Sequence, residues 1–88
     1  MYLEIIAPDK VFFKGETDKV SVPGTAGRFT ILKGHAAIIS LLNEGDVIYS
    51  DNGSDKHFNI ISGMVEAKDD KIVVCVDKRT ENKEEPTK

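Results

Sequence analysis

Histidine and cysteine are the side chains of this 88-residue protein that could do chemistry most directly, and the chain has only His35, His57 and Cys75. Strong zinc motifs bring nitrogen and sulfur ligands in closely spaced pairs, and these three residues form no such pair. Cys75 stands in an apolar run, where a small buried hydrophobic residue is the expected role. Nothing beside it marks an activated thiolate. We therefore predict no metal ion, no cofactor and no catalytic centre.

The carboxylates and the glycine-rich segment also have simpler explanations than catalysis. Asp69-Asp70 resembles an acid–base pair, but such a pair works in a cleft, and these residues suit a solvated hairpin turn. The segment PGTAGR at residues 23–28 lacks the Gly-Lys-Ser/Thr ending and the following helix of a phosphate-binding loop. Asn52-Gly53-Ser54 fits the glycosylation sequon, but it is interpreted here as a turn.

Composition narrows the class of protein. At 9.7 kDa, with 40% hydrophobic and 31% charged residues, the chain is a single globular domain. Its net charge of −3 is spread along the chain, which argues against nucleic-acid binding. Apolar runs are too short for a transmembrane helix, and the N-terminus lacks the features of a signal peptide. The lone cysteine fits a reducing compartment, so we expect a cytoplasmic domain.

The elements that must position these residues are strands, because apolar residues recur mostly with a period of two. About nine short strands are predicted, at residues 2–6, 11–13, 17–22, 28–32, 36–42, 46–50, 56–61, 64–67 and 71–76. Asn52-Gly53 between two of these segments is a strong hairpin signal. The segment 36–42 could begin a helix, but it is short and is followed by Asn43-Glu44-Gly45, so we predict a buried strand. The chain is therefore expected to be all-β, a sandwich or barrel.

The distribution of hydrophobic residues along the chain predicts the domain boundaries. Residues 1–77 carry the predicted strands, whereas residues 78–88 contain no hydrophobic residue. We expect this charged segment to be a mobile tail. Between Val22 and Leu42, glycines bracket a short polar loop that would leave Arg28, Phe29 and His35 available to a partner. An ordinary surface loop explains this stretch equally well, and the residues alone leave both open.

Several motifs, taken together in order, carry a resemblance over residues 1 to about 77. They are LEIIAP at 3–8, VFFKGE at 11–16, VSVPGTAGRFTILKGHA at 20–36, ISGMVEA at 61–67 and IVVCVD at 72–77. The chain resembles the N-terminal β-sandwich domain of the epsilon subunit of the F-type ATP synthase. This resemblance implies a flattened sandwich of about ten strands.

The resemblance also implies a function and partners. It implies a non-catalytic part of the central stalk, or rotor, that docks the gamma subunit onto the c-ring and couples proton translocation to ATP synthesis. The complex would lie peripherally on the cytoplasmic face of the bacterial inner membrane, without inserting this chain, and the isolated chain would be a monomer. The resemblance implies that Ala7, His35 and Ser40 contact the gamma subunit. Contacts with the polar loops of the c-ring carry over to Gly24, Thr25, Ala26, Gly27, Arg28 and Phe29.

The sequence departs from the family pattern at three positions. Arg28 stands where the family often has an acidic residue, which changes the charge offered to the c-ring. Ala37 replaces a frequent proline. Met64 replaces the second glycine of Ser-Gly-Gly, so a conformation open only to glycine is excluded there.

Two other classes stay open as alternatives. A carbohydrate-binding sandwich would present aromatic platforms, yet the chain has no Trp and only Tyr2 and Tyr49. A small enzyme using His35, His57 or Cys75 would lose activity or metal uptake when one of them is replaced by alanine.

Typical members of the family continue into two C-terminal helices that inhibit ATP hydrolysis and in some cases bind ATP. The chain is either a naturally short member or one cut after the sandwich, and the loss of hydrophobicity after Asp77, with Pro86 near the end, favours the first. We therefore predict that ATP shifts neither the melting temperature nor the amide spectrum of this 88-residue chain. A clear shift in either measurement would contradict this.

Overall fold

Nine strands make up the computed structural model, which describes residues 1–77. They are β1 (Tyr2–Ala7), β2 (Lys10–Glu16), β3 (Lys19–Gly24), β4 (Gly27–Leu32), β5 (Ile38–Leu42), β6 (Gly45–Asp51), β7 (Ser54–Ile60), β8 (Gly63–Lys68) and β9 (Lys71–Val76). No helix occurs in this range, so the all-β prediction is confirmed. The tail predicted at 78–88 lies outside the described residues.

The strands form one sheet that curls over itself into two layers. The hydrogen-bonded order is β2-β1-β9-β8-β5-β3-β6-β7, and β4 pairs with the other edge of β3. We call β2-β1-β9-β8-β5 the first layer and β4-β3-β6-β7 the second. They join at a narrow corner, where Gly24 pairs with Leu42. Among the strands of residues 1–77, only β1 and β9 run parallel to each other, and every other pairing is antiparallel.

Alternation along the strands fills the space between the layers. In β1 the pattern is half-buried then buried throughout, as expected for a strand with one face on a core. The most completely buried side chains are Leu3, Ile5, Val20, Val22, Ile31, Val47, Ile60, Val65, Ile72 and Val74. Both layers contribute to this set, so the core holds them together.

A β-bulge in β2 closes the far side of the core. Ile5 pairs with Phe13 but the next residue, Ile6, pairs with Val11, which leaves Phe12 as an extra residue. Phe12 and Phe13 therefore both pack against the core, although they are adjacent in sequence. Their rings meet second-layer rings, Phe12 to Phe58 at 4.8 Å and Phe13 to Tyr49 at 4.6 Å between centroids.

Two tight turns occur at the positions where the sequence predicts hairpins. Asn52 and Gly53 both have positive φ, 54° and 82°, and join β6 to β7, so this hairpin prediction is confirmed. Asp69 and Asp70, at φ of 54° and 64°, join β8 to β9 in the same way. Both aspartates are exposed, as predicted for a hairpin turn.

One buried polar pair ties the start of β3 to the end of β6. The Thr17 hydroxyl donates to the Lys19 carbonyl at 2.9 Å and accepts from the Ser50 amide at 3.1 Å. The Ser50 hydroxyl lies 2.9 Å from the Thr17 hydroxyl oxygen, to which it donates, and it accepts from the Asp18 amide. Both side chains are thereby satisfied, which removes the cost of burying them.

The prediction for residues 36–42 is correct in type and wrong in burial. Residues 38–42 form β5, but Ile39 and Leu41 are 68% and 63% exposed. Apolar residues occupy both alternating sets of β5, and only one set can face the core.

A substitution at Phe58 tests whether its ring contact helps to hold the two layers together. Phe58→Ala removes a ring that is 4% exposed and packs on Phe12, so we expect a loss of about 3–5 kcal/mol in the free energy of unfolding. Urea unfolding measures it. Lys56→Ala, at an exposed position of the same strand, is the control and should change stability by about 0.5 kcal/mol or less. Equal losses would contradict the placement of Phe58.

Candidate protein-binding surface

The structure keeps the three potentially reactive side chains apart in the fold. His35 lies in the connection from β4 to β5, His57 on β7 and Cys75 on β9. The His35 Nδ1 is 2.7 Å from the Ala36 carbonyl oxygen, and the His57 Nδ1 is 3.2 Å from Asp46 Oδ2. Within residues 1–77, no three His, Cys, Asp or Glu side chains come together in a group that could hold a metal ion.

An exposed apolar row crosses the outer surface of the first layer. Backbone pairing connects Leu41 to Met64, Met64 to Cys75, Cys75 to Ile6 and Ile6 to Val11. The row therefore spans all five strands of this layer without a polar interruption. Leu41, Val11 and Met64 are well exposed, and Cys75 and Ile6 are half-buried.

A second row lies two residues away on four of the strands and three residues away on β2, where the bulge adds one residue. Its register is Ile39 to Glu66, Glu66 to Val73, Val73 to Glu4 and Glu4 to Lys14. The apolar members of both rows are Ile6, Val11, Ile39, Leu41, Met64, Val73 and Cys75, and we call this set the apolar face. Contiguous exposed apolar surface of this kind typically marks a site of protein contact.

None of the three residues predicted to contact gamma belongs to the apolar face, although two of them, Ala7 and Ser40, lie on strands that carry it. Ala7 ends β1 but is only 8% exposed, because its side chain is on the core side. Ser40 lies on β5 between the two exposed residues Ile39 and Leu41, is half-buried and donates to the Leu41 carbonyl at 3.1 Å. His35 is exposed, three residues before β5.

Sequence reasoning therefore named neighbours of this surface and missed its exposed members. The available signal was β5 itself, Ile-Ile-Ser-Leu-Leu, which is apolar on both alternating sets. One set had to face away from the core, and an apolar outer set predicts a partner surface.

The residues predicted to meet the c-ring form a hairpin instead of an open loop. Gly24 pairs with Gly27, so only Thr25 and Ala26 form the turn. A Cβ on Gly24 would lie 2.8 Å from the Gly27 carbonyl oxygen and 2.8 Å from the Phe29 ring, so glycine is required there. Thr25, Ala26 and Gly27 are exposed at the tip, whereas Gly24 is buried and Phe29 is half-buried.

The strand predicted at residues 28–32 is confirmed and includes Arg28, so Arg28 is not part of the polar loop. Arg28 belongs to β4 and pairs with Pro23. Its guanidinium donates from Nη1 to Ser21 Oγ at 2.9 Å and from Nη2 to the Asp46 carbonyl oxygen at 2.6 Å. The side chain therefore crosses the outer surface of the second layer from β4 to β6 and anchors the base of the hairpin.

Asp46 forms the centre of a polar cluster on the same surface. Its carboxylate accepts from Asn59 Nδ2 at 3.0 Å and from His57 Nδ1 at 3.2 Å. These two hydrogen bonds hold the pKa of the Asp46 carboxyl below its ordinary value of 3.8, and positive charge on His57 and Arg28 acts in the same direction. The part of this outer surface around Asp46 is thus polar and internally bonded.

Fold and surface together define a small β-sandwich with exposed apolar side chains on one outer surface. The chain belongs to the ATP synthase delta/epsilon chain family, because its residues 1–82 match the model of that family's β-sandwich domain. This confirms the resemblance seen in the sequence motifs. The described residues contain no helix that could cross a membrane.

Curated relatives agree with this assignment. The ATP synthase epsilon chain of Bradyrhizobium sp. (strain ORS 278) is 30% identical over 83 residues, which cover 94% of this chain and 62% of that one. The epsilon chain of Nitratidesulfovibrio vulgaris (strain DP4) is 34% identical over 77 residues, covering 88% of this chain and 58% of that one. The chain thus spans about three-fifths of the length of these relatives.

Solved structures show the same fold at low sequence identity. A chain of the Euglena gracilis mitochondrial ATP synthase (OSCP/F1/c-ring, rotational state 1) matches with a TM-score of 0.77 at 18% identity, covering 84% of this chain and 48% of that one. A chain of the Tetrahymena thermophila mitochondrial ATP synthase central stalk and c-ring matches with a TM-score of 0.70 at 15% identity, covering 88% and 63%. At these identities the likeness establishes the fold alone.

The Asp46 cluster predicts a pH-dependent contribution to stability. Because the folded state lowers the pKa of Asp46, its ionised carboxylate stabilises the fold fully above the ordinary value of 3.8. This stabilisation is lost as pH falls through the lower folded pKa. We expect wild type to be more stable than Asp46→Asn at pH 7 and this difference to shrink below about pH 4. Urea unfolding of both proteins across pH measures it, and a difference unchanged between pH 7 and pH 3 would contradict the cluster.

Proposed function

We propose that this chain serves as the central-stalk domain of an ATP synthase epsilon subunit, binding gamma through the apolar face and resting on the c-ring. The observation that carries this is the apolar face, which crosses five strands of a domain that belongs to the epsilon family. In this function the domain couples proton translocation to ATP synthesis mechanically and does no catalysis. The complex would be peripheral to the cytoplasmic face of a bacterial membrane, in keeping with the bacterial relatives.

Gamma binding is supported by the chemistry of the apolar face. Ile39 and Leu41 are each more than three-fifths exposed in the isolated chain. Full burial of a side chain of this size contributes about 1.5–3 kcal/mol, so covering several of them is a substantial driving force. Of the three residues assigned to gamma by resemblance, Ser40 and Ala7 lie on strands of this face, and His35 precedes β5.

Contact with the c-ring through the β3–β4 hairpin is supported by its exposure and its anchoring. Thr25, Ala26 and Gly27 form a small exposed tip without charge. Below it, the hydrogen bond from Arg28 to the Asp46 carbonyl fixes the hairpin base to β6. We infer that Arg28 positions this tip, while Gly24 and Phe29 pack beneath it. A close-packed sandwich between two such contacts would transmit torque without yielding.

The two alternative classes receive less support. Tyr49 is 9% exposed and packs on Phe13, so its ring is not available as a platform for a sugar. His35, His57 and Cys75 lie on different elements, which leaves an enzyme without a shared site.

The first experiment measures binding of the chain to a catalytic-head complex that contains gamma and lacks epsilon. Leu41→Gln should weaken binding by about tenfold or more, since 1.4 kcal/mol corresponds to a factor of ten. Leu32→Gln is the matched control: Leu32 is 55% exposed on the second layer, against 63% for Leu41 on the first. We expect this control to bind like wild type.

Two outcomes would count against the proposal. A folded wild-type chain that does not bind the complex would overturn it and reopen the ligand-binding alternative. Equal weakening by the Leu41 and Leu32 variants would show that gamma does not select the apolar face. In the same assay, His35→Ala tests the contact assigned by resemblance, and we expect it to weaken binding.

A further inference from the structure

Three charged residues, Glu66, Glu4 and Lys14, lie in the second row among the residues of the apolar face. Glu66 lies on β8 with Ile39 opposite it on one side and Val73 on the other. Met64, two residues away on the same strand, points to the same surface. Glu66 is exposed, and its carboxylate makes no ion pair or hydrogen bond within residues 1–77.

The other glutamate of this row differs in having a partner inside the chain. The Glu4 carboxylate lies 3.7 Å from the Lys71 ammonium, and its side chain is 18% exposed. Glu4 can therefore be covered by a partner protein with its charge already compensated. Glu66 forms no such ion pair within residues 1–77, although Lys68 and Lys71 line the same shallow depression.

Covering the apolar face necessarily removes water from Glu66. A partner that packs on Ile39, Met64 and Val73 must also pass over the carboxylate between them. Burying an unpaired carboxylate is strongly unfavourable, and an opposite charge with good hydrogen-bond geometry offsets that cost.

We propose that the partner surface bound by the apolar face is itself apolar and carries one basic side chain placed against Glu66. This inference rests on the proposed function, so the partner is gamma and the basic residue belongs to gamma. Arginine suits the position best, because its planar guanidinium can bind a carboxylate through two parallel hydrogen bonds. Glu66 then determines specificity, since an apolar partner without this cation leaves the carboxylate buried and unpaired.

Affinity for the gamma-containing head complex lacking epsilon tests the inference. Glu66→Gln, which keeps the shape and removes the charge, should weaken binding by about tenfold, and Glu66→Lys by about a hundredfold. Glu44→Lys is the matched control, because Glu44 is an exposed glutamate in the β5–β6 connection and gives the same change in net charge. Its affinity should stay within about twofold of wild type. Thermal unfolding of each variant shows that the fold is retained.

A charge exchange then identifies the partner residue. Single Lys→Glu or Arg→Glu variants of gamma are combined with Glu66→Lys, and one of them should restore binding by at least about tenfold. Restoration would not follow if Glu66 had only a structural role in β8.

The possible failures are distinguishable. If wild type binds tightly and both Glu66 variants bind equally well, this inference is wrong while the proposed function stands. If Glu44→Lys weakens binding as much as Glu66→Lys, the effect is general electrostatics and the inference is also overturned. If wild type does not bind the complex, both proposals fail.

Discussion

Closure of a single sheet over its own inner surface is the constraint on which the rest of this structure depends. The two layers share only a narrow backbone corner at Gly24 and Leu42, so side-chain packing must hold the far side together. The bulge in β2 provides this by turning Phe12 and Phe13 towards the same core. Their contacts with Phe58 and Tyr49 join the two ends of the strand order. Because the core is closed in this way, both outer surfaces are held rigid.

The two outer surfaces differ in kind, and the difference follows from how their polar groups are satisfied. On the second layer, Arg28, Asp46, His57 and Asn59 bond to one another or to nearby backbone, so this surface is stable in water by itself. On the first layer four large apolar side chains, Val11, Ile39, Leu41 and Met64, are exposed and gain from being covered. A partner is therefore expected on the first layer, while the second layer fixes the geometry of the β3–β4 hairpin.

Local chemistry allowed much of the fold to be predicted from the sequence. Asn52-Gly53 identified a hairpin because both residues adopt positive φ at little cost. The period-two pattern identified strands from the steric alternation of side chains. Family membership followed from motifs distributed along almost the whole described chain. The errors concern burial: the strand predicted at 36–42 begins at Ile38 and is not fully buried. Arg28 lies on the strand predicted at 28–32, but local patterns did not predict its two hydrogen-bond partners.

The buried polar pair and the candidate surface could not be predicted from local sequence patterns. Thr17 and Ser50 are 33 positions apart, and neither residue type predicts burial by itself. Likewise, Leu41, Met64 and Cys75 become neighbours only through the register of three strands.

The sequence by itself determined the strand periodicity and the tight turns, because these depend on residues close together in the chain, and it determined the family through motifs read in their order along the chain. Tertiary structure alone decided which apolar side chains face outward and which polar ones find partners. Parallel pairing of β1 with β9 places Ile6 beside Cys75, and this contact joins the two halves of the apolar face. The register of these pairings depends on which face of each strand packs into the shared core. That cannot be predicted from any one segment alone.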